Sequence, residues 1–212
     1  MRNKAADAIL VGDIHYREDQ PKCRTDDFWE TQKRKSIWLR ELWEENNRCP
    51  VLQPGDLFHR WGSSPRVISA VLEYLPPMIT IPGNPGRHNY FNLEGFDRDA
   101  LNVIAKSNTG WKVLTKNWCR HGNLLFHPLL WGEKSIVKSR RSRDETINVL
   151  LTHRMLSDSG SEMFESELAV DFMNENDGFD LILSGHNHKQ FEIRKLIEQQ
   201  TNGEIGKEDF YP

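Results

Sequence analysis

Short apolar runs alternate with longer charged stretches in which apolar residues recur at helical spacing. Ala8–Val11, Pro50–Gln53, Met78–Ile81, Ile147–Leu151 and Phe179–Leu183 are mostly apolar and only four or five residues long. That length predicts buried strands rather than helices. Residues 26–47 place Phe28, Trp29, Ile37, Trp38, Leu39, Leu42 and Trp43 among many charges, with Trp38 and Leu42, and Leu39 and Trp43, one turn apart. The spacing predicts an amphipathic helix, capped by Asp26 or Thr25, with Trp29 and Trp43 in the core. Ser64–Leu75 is a second helix, with Ser64 as cap and Pro65 in the first turn. Arg98–Lys106 and Glu162–Asn174 are further helices, the latter stacking Phe164, Leu168 and Phe172 on its buried face. Trp111–Leu114 and Asn123–Phe126 are expected as strands of a second sheet. Alternating strands and helices predict an α/β fold built in layers.

Composition narrows the class. Hydrophobic residues make up 37% of the 212 positions and 14 glycines add to them, which suits one folded domain. The expectation is a single domain over residues 1–212, with its core at about 8–190 and a short polar tail at 191–212. A net charge of -3 excludes a strongly basic coat but leaves room for a local basic groove. Cys23, Cys49 and Cys119 are far apart and odd in number, so free thiols in a reducing compartment are expected. The N-terminus does not resemble a signal peptide, and no apolar stretch approaches the ~20 residues that span a membrane. Together these point to the cytoplasm.

The strand ends carry the chemistry. Asp13-Ile14-His15, Gly55-Asp56, Gly83-Asn84, Thr152-His153 and Gly185-His186-Asn187-His188 all follow apolar runs. Parallel strands gather ligands at their C-terminal ends. Asp13 and His15 are two apart, which in an extended backbone puts both side chains on one side, and His186 and His188 repeat that spacing. Asp56 has two oxygens with which to bridge two cations, Asn84 offers a neutral carbonyl oxygen, and His153 another nitrogen. Mixed oxygen and nitrogen donors suit manganese, iron or zinc better than calcium. Two such cations would activate a bridging water against a phosphate ester, and a protonated histidine, His59 or His88, would protonate the leaving oxygen. His121 and His127 have no partner motif and read as surface or packing residues.

The order Asp-x-His, Gly-Asp, Gly-Asn, a lone His and Gly-His-x-His resembles the calcineurin-like metallophosphoesterase superfamily, from about Ala8 to Gln190. Gly55-Asp56-Leu57-Phe58-His59 is most similar to the DNA double-strand-break-repair exonucleases that work with an SMC-like ATPase. The resemblance implies a four-layer α/β/β/α sandwich of two mixed sheets flanked by helices. It also implies two divalent ions, manganese first and iron or zinc as alternatives. It assigns Asp13, His15, Asp56 and His188 to one ion, and Asp56, Asn84, His153 and His186 to the other. The implied partners are DNA, the ATPase and a second copy of the chain.

There are two departures from the family pattern. Pro85 stands where the family has histidine, so His88 is the candidate substitute and His59 a second contributor. The chain ends about two dozen residues past the last motif, without the capping domain and ATPase-docking segment of the repair nucleases, so a stand-alone phosphoesterase is expected. Arg60, Trp61, Arg87, Tyr90, Lys138, Arg140 and Arg141 are candidate DNA contacts. Tyr90 and Phe91, like Trp61, would stack on a base or close the pocket rim, and the basic run from Lys134 to Arg143 is a solvated loop or a phosphate-binding one. The leading expectation is a DNA nuclease. Its rivals are a phosphomonoesterase, protein phosphatase or small-molecule (cyclic nucleotide) phosphodiesterase, for which Arg60 speaks, and a catalytically weak homologue that binds metal or nucleic acid.

Overall fold

A computed structural model describes residues 5–84, 96–133, 146–157 and 166–187. The first half runs β1 (Ile9–Leu10), α1 (Phe28–Glu45), β2 (Val51–Gln53), α2 (Pro65–Tyr74), β3 (Ile79–Thr80), a 3-10 turn (Phe96–Arg98), α3 (Ala100–Lys106) and β4 (Lys112–Val113). The second half runs β5 (Cys119–His121), β6 (Leu124–Leu129), β7 (Ile147–Thr152), β8 (Leu156–Ser157), β9 (Glu167–Leu168), α4 (Ala169–Glu175) and β10 (Leu181–Ser184). The first sheet has the order β1-β2-β3-β4 and is parallel throughout. In the second, ordered β10-β7-β6-β5, only β5 is antiparallel to its neighbour. β8 and β9 form a small separate ladder.

Helices α1 to α3 follow from local chemistry. Asp27, not Asp26 or Thr25, caps α1 by accepting from Glu30 N at 3.1 Å. Asp26 is already engaged by Arg24 (2.7 and 2.6 Å) and by the Thr31 hydroxyl (2.7 Å), leaving its neighbour to satisfy the free helix N–H groups. The buried stripe of α1 runs Gln32, Ser36, Leu39, with Trp29 and Trp43 packed beside it. Trp38 lies about 100° around the helix from Leu39 and is 59% exposed, so it does not join Leu42 against the core. α2 starts as expected, with Ser64 accepting from Val67 N and Pro65 in the first turn.

Two expectations fail for non-local reasons. Trp111–Leu114 contributes β4 to the first sheet, not the second, pairing Ile79 with Lys112 and Thr80 with Val113. The chain reaches β4 through α3, and a strand entered through a crossover helix lies parallel in the same sheet. The helix expected from Glu162 begins only at Ala169. Glu167 and Leu168 instead extend beside β8, with Glu167 N donating to Met155 O at 2.9 Å, and Leu168 is partly exposed. Phe164 and the tail lie outside the described residues.

Three apolar clusters organise the packing. One joins α1, α2 and α3 to the first sheet through Leu39, Val71, Ile104 and Val51. A second draws from both sheets, combining Leu52, Ile79 and Ile81 with Phe126, Val149 and Leu151. The third packs Phe172 of α4 on Leu129 and Leu150 of the second sheet. The three cysteines are free thiols. Among the described residues no helix is long and apolar enough to cross a membrane.

Phe126 is fully buried in the cluster that both sheets share. Phe126→Ala is expected to lower the unfolding free energy by about 3–5 kcal/mol in urea titrations. His121 is exposed, whereas His127 is half-buried, 3.3 Å from Asn148 Oδ1 and edge-on to Phe179. Burial pushes the His127 imidazole below its ordinary value, and the Asn148 contact only partly offsets this. Below about pH 6.5 the unfolded chain therefore takes up a proton that the folded ring declines, so stability falls as the solution is acidified. The melting temperature of His127→Gln should fall less than that of the wild type between about pH 7 and 5.

Candidate metal centre

Every described donor candidate stands just past the C-terminal end of a strand. Asp13 and His15 follow β1, Asp56 follows β2, Asn84 follows β3, His153 follows β7 and His186 follows β10. The loops after β1 and β2 run side by side, with His15 N donating to Asp56 O (2.9 Å) and Tyr16 N to Leu57 O (2.8 Å). Two contacts join the sheets: His186 N donates to Asp13 Oδ2 at 2.8 Å, and His153 Nδ1 lies 2.8 Å from Pro54 O. Asn84 N donates to Asp56 Oδ1 at 3.1 Å.

These ties bring the donor atoms together. Asp13, His15 and Asp56 each offer one within 4.8 Å of the others. His153 Nε2 is 3.4 Å from Asp56 Oδ2, His15 Nδ1 is 3.7 Å from it, and His153 Nδ1 is 3.9 Å from Asp13 Oδ1. The His186 ring lies edge-on to His153, with centroids 5.2 Å apart. The side chains of Asp13, Asp56 and His153 are almost wholly removed from solvent.

The donor set fits a cation. His153 is fully buried and its Nε2 makes no hydrogen bond among the described residues. With Nδ1–H donated to the Pro54 carbonyl, Nε2 faces the Asp56 carboxylate, which is acceptor-only when ionised. When Nε2 carries no proton, two acceptors face one another and a metal cation between them satisfies both. A histidine that gives its other N–H to a backbone carbonyl is the usual arrangement of a metal ligand.

Backbone conformation marks the same residues. Among the described residues five non-glycine positions have positive φ, and three of them are His15 (49°), Asp56 (53°) and His186 (74°). The extended geometry expected at His15 and His186 is therefore replaced by left-handed turns. Such residues cost about 1–3 kcal/mol each, and this strain concentrates at functional sites. Gly55, at φ 106°, opens the turn that delivers Asp56.

Of the other candidates, His59 is beside the cluster, its ring 5.8 Å from that of His15. Arg60 and Trp61 follow on the same loop. Arg60 is exposed and 3.7 Å from Asp19, whose carboxyl is held below its usual range chiefly by the hydrogen bond from Arg17. Trp61 is partly exposed, and its carbonyl accepts from Ala100 N. His88, His188, Arg87, Tyr90, Phe91, Lys138, Arg140, Arg141 and the rest of the run from Lys134 to Arg143 lie outside the described residues. Sequence reasoning missed Trp131, which closes on His186 with ring centroids 5.4 Å apart. It also missed the Pro54 carbonyl, because a backbone acceptor leaves no residue-type signal.

Gly83 and Gly185, like Gly55, are required by close approach. A Cβ on Gly83 would land on the Asp56 carboxylate and backbone nitrogen. One on Gly185 would sit 2.5 Å from Asp13 Oδ1, 2.6 Å from His153 Nδ1 and 2.8 Å from Pro54 O. Gly83→Ala should therefore displace Asp56 and weaken divalent-cation binding by at least about tenfold in calorimetric titration.

The family model of the calcineurin-like phosphoesterases matches residues 8–190, from the start of β1 past the last donor motif. Comparison with curated proteins gives no match. The family implies a metal-dependent hydrolase of phosphoesters, and the Asp13–His15–Asp56 group offers the donors for a metal site. On a match covering most of its length and a donor cluster of the corresponding chemistry, the chain belongs to the calcineurin-like phosphoesterase family.

Proposed function

We propose that this protein is a two-metal phosphodiesterase acting on DNA, with manganese as the working ion. The observation that carries the metal reading is the buried His153 Nε2 facing the Asp56 carboxylate at 3.4 Å. Asp13, His15, Asp56, Asn84, His153, His186 and His188 would hold the ions. When bound, the ions supply Lewis-acid charge for the phosphoryl oxygens and make water nucleophilic near neutral pH.

The chain's own residues do the rest. The bonds from His186 N to Asp13, between the two sheets, and from Asn84 N to Asp56, within the first, aim the carboxylates before any ligand arrives. Orientation set in advance avoids reorganisation during the reaction. The ring contact of His59 with His15 supports His59 as the proton donor to the leaving oxygen, with His88 as the other candidate for that role. The diester preference is supported by exposed Arg60 and Trp61 on the Asp56 loop and by Trp131 beside His186, which suit a phosphate backbone and a stacked base. A four-layer arrangement belongs to the same reading and is supported by the apolar cluster that both sheets share.

Arg60 favours a second reading, a phosphomonoesterase, because a cation at that position also suits a terminal phosphate. The two separate on substrate. Manganese-dependent degradation of DNA is expected, reduced at least about a hundredfold by Asp56→Ala, since removing even a supporting group costs ~10–100-fold. Intact DNA alongside rapid phosphate release from a chromogenic monoester would decide for the second reading.

A further inference from the structure

Gln53 is a polar residue at the centre of a buried parallel sheet, with no exposure at all. Its side-chain amide is bonded on every side. Nε2 donates to the Gly55 carbonyl and, at 3.4 Å, to the Gly12 carbonyl. Oε1 accepts from Gly55 N at 3.2 Å and from the Thr80 hydroxyl. The partners determine the orientation of the amide, because two carbonyls require the NH2 end and an N–H requires the oxygen.

Each partner leads to a donor. Gly12 precedes Asp13, Gly55 precedes Asp56, and Thr80 closes β3 just before the turn carrying Gly83 and Asn84. Between Gln53 and Gly55 lies Pro54, whose carbonyl meets His153 Nδ1 at 2.8 Å. One amide thus ties together the backbone of two donor turns, holds the hydroxyl of the strand residue that leads into a third, and braces the peptide that orients a fourth donor.

We propose that Gln53 is the positioning residue of the metal centre, acting through Gly12, Gly55 and Thr80 to set the spacing of Asp13, Asp56, Asn84 and His153. The inference rests on the phosphoesterase reading above. A purely packing role would need only a side chain of this length and shape. A positioning role needs all four polar contacts, since each unmet buried group is free to pull its turn toward another partner.

The test is Mn2+ titration of the full chain by calorimetry, with no substrate present. Gln53→Met keeps the length and removes the polar contacts, and is expected to bind Mn2+ about 10–100-fold more weakly than the wild type. Val71→Ala, a core truncation in α2 that removes none of these hydrogen bonds, supplies a destabilised control whose Mn2+ affinity should match the wild type. Wild-type affinity in Gln53→Met overturns the proposal. If Gln53→Met does not fold, Thr80→Val decides: it removes one hydrogen bond to the same amide, and about a threefold or larger loss supports the proposal, while unchanged affinity overturns it. A wild type that takes up no Mn2+ removes the phosphoesterase reading and this inference with it, a result distinct from equal binding by wild type and variant.

Discussion

Two carboxylates and a histidine held close together away from solvent are the constraint on which the site depends. His153 places Nε2 3.4 Å from Asp56 Oδ2 and Nδ1 3.9 Å from Asp13 Oδ1, with almost no solvent access to any of the three side chains. Two ionised carboxylates whose oxygens lie within 4.8 Å of each other repel, and burial removes the solvation that would offset their charge. A protein that merely needed to be stable would fill this space with apolar side chains. The arrangement becomes favourable once positive charge enters it, which is the property of a metal-binding fold.

Holding that crowd in place uses the ends of two sheets. Strand ends interrupt the ladder, and the interruption lets His15, Asp56 and His186 take left-handed turns. The strain is balanced by bonds reaching across the molecule, from His186 N to Asp13 and from His153 to Pro54 O, which join residues 173 and 99 positions apart. The absence of side chains at Gly83 and Gly185 is part of the same design, because any Cβ there would occupy the donors' own space. Packing and chemistry meet in the cluster shared by both sheets, since the strands carrying Leu52, Ile79 and Val149 are the strands that end in donors.

Local features were legible in the chain. The cap of α2 at Ser64, the apolar strand runs and the order of acidic and imidazole residues all depend on neighbours a few positions away. The cap of α1 was misplaced by one residue because Arg24 claims Asp26, a competition that pattern alone does not weigh. The sheet membership of β4 and the late start of α4 were not legible, because both are settled by pairing with distant strands.

Sequence by itself determined which chemical groups are present and that donors follow the apolar runs of β1, β2, β3, β7 and β10, since apolar runs, glycines and donor residue types are properties of short segments; it stopped β6 at Phe126, three residues short of Leu129. Tertiary structure decided how those groups face one another. Gln53 shows the difference: along the chain it is one polar residue at the end of an apolar run, and only folding puts Thr80 and Gly12 around its amide. Distances between donors are set by contacts between residues far apart in sequence, and no local pattern encodes them.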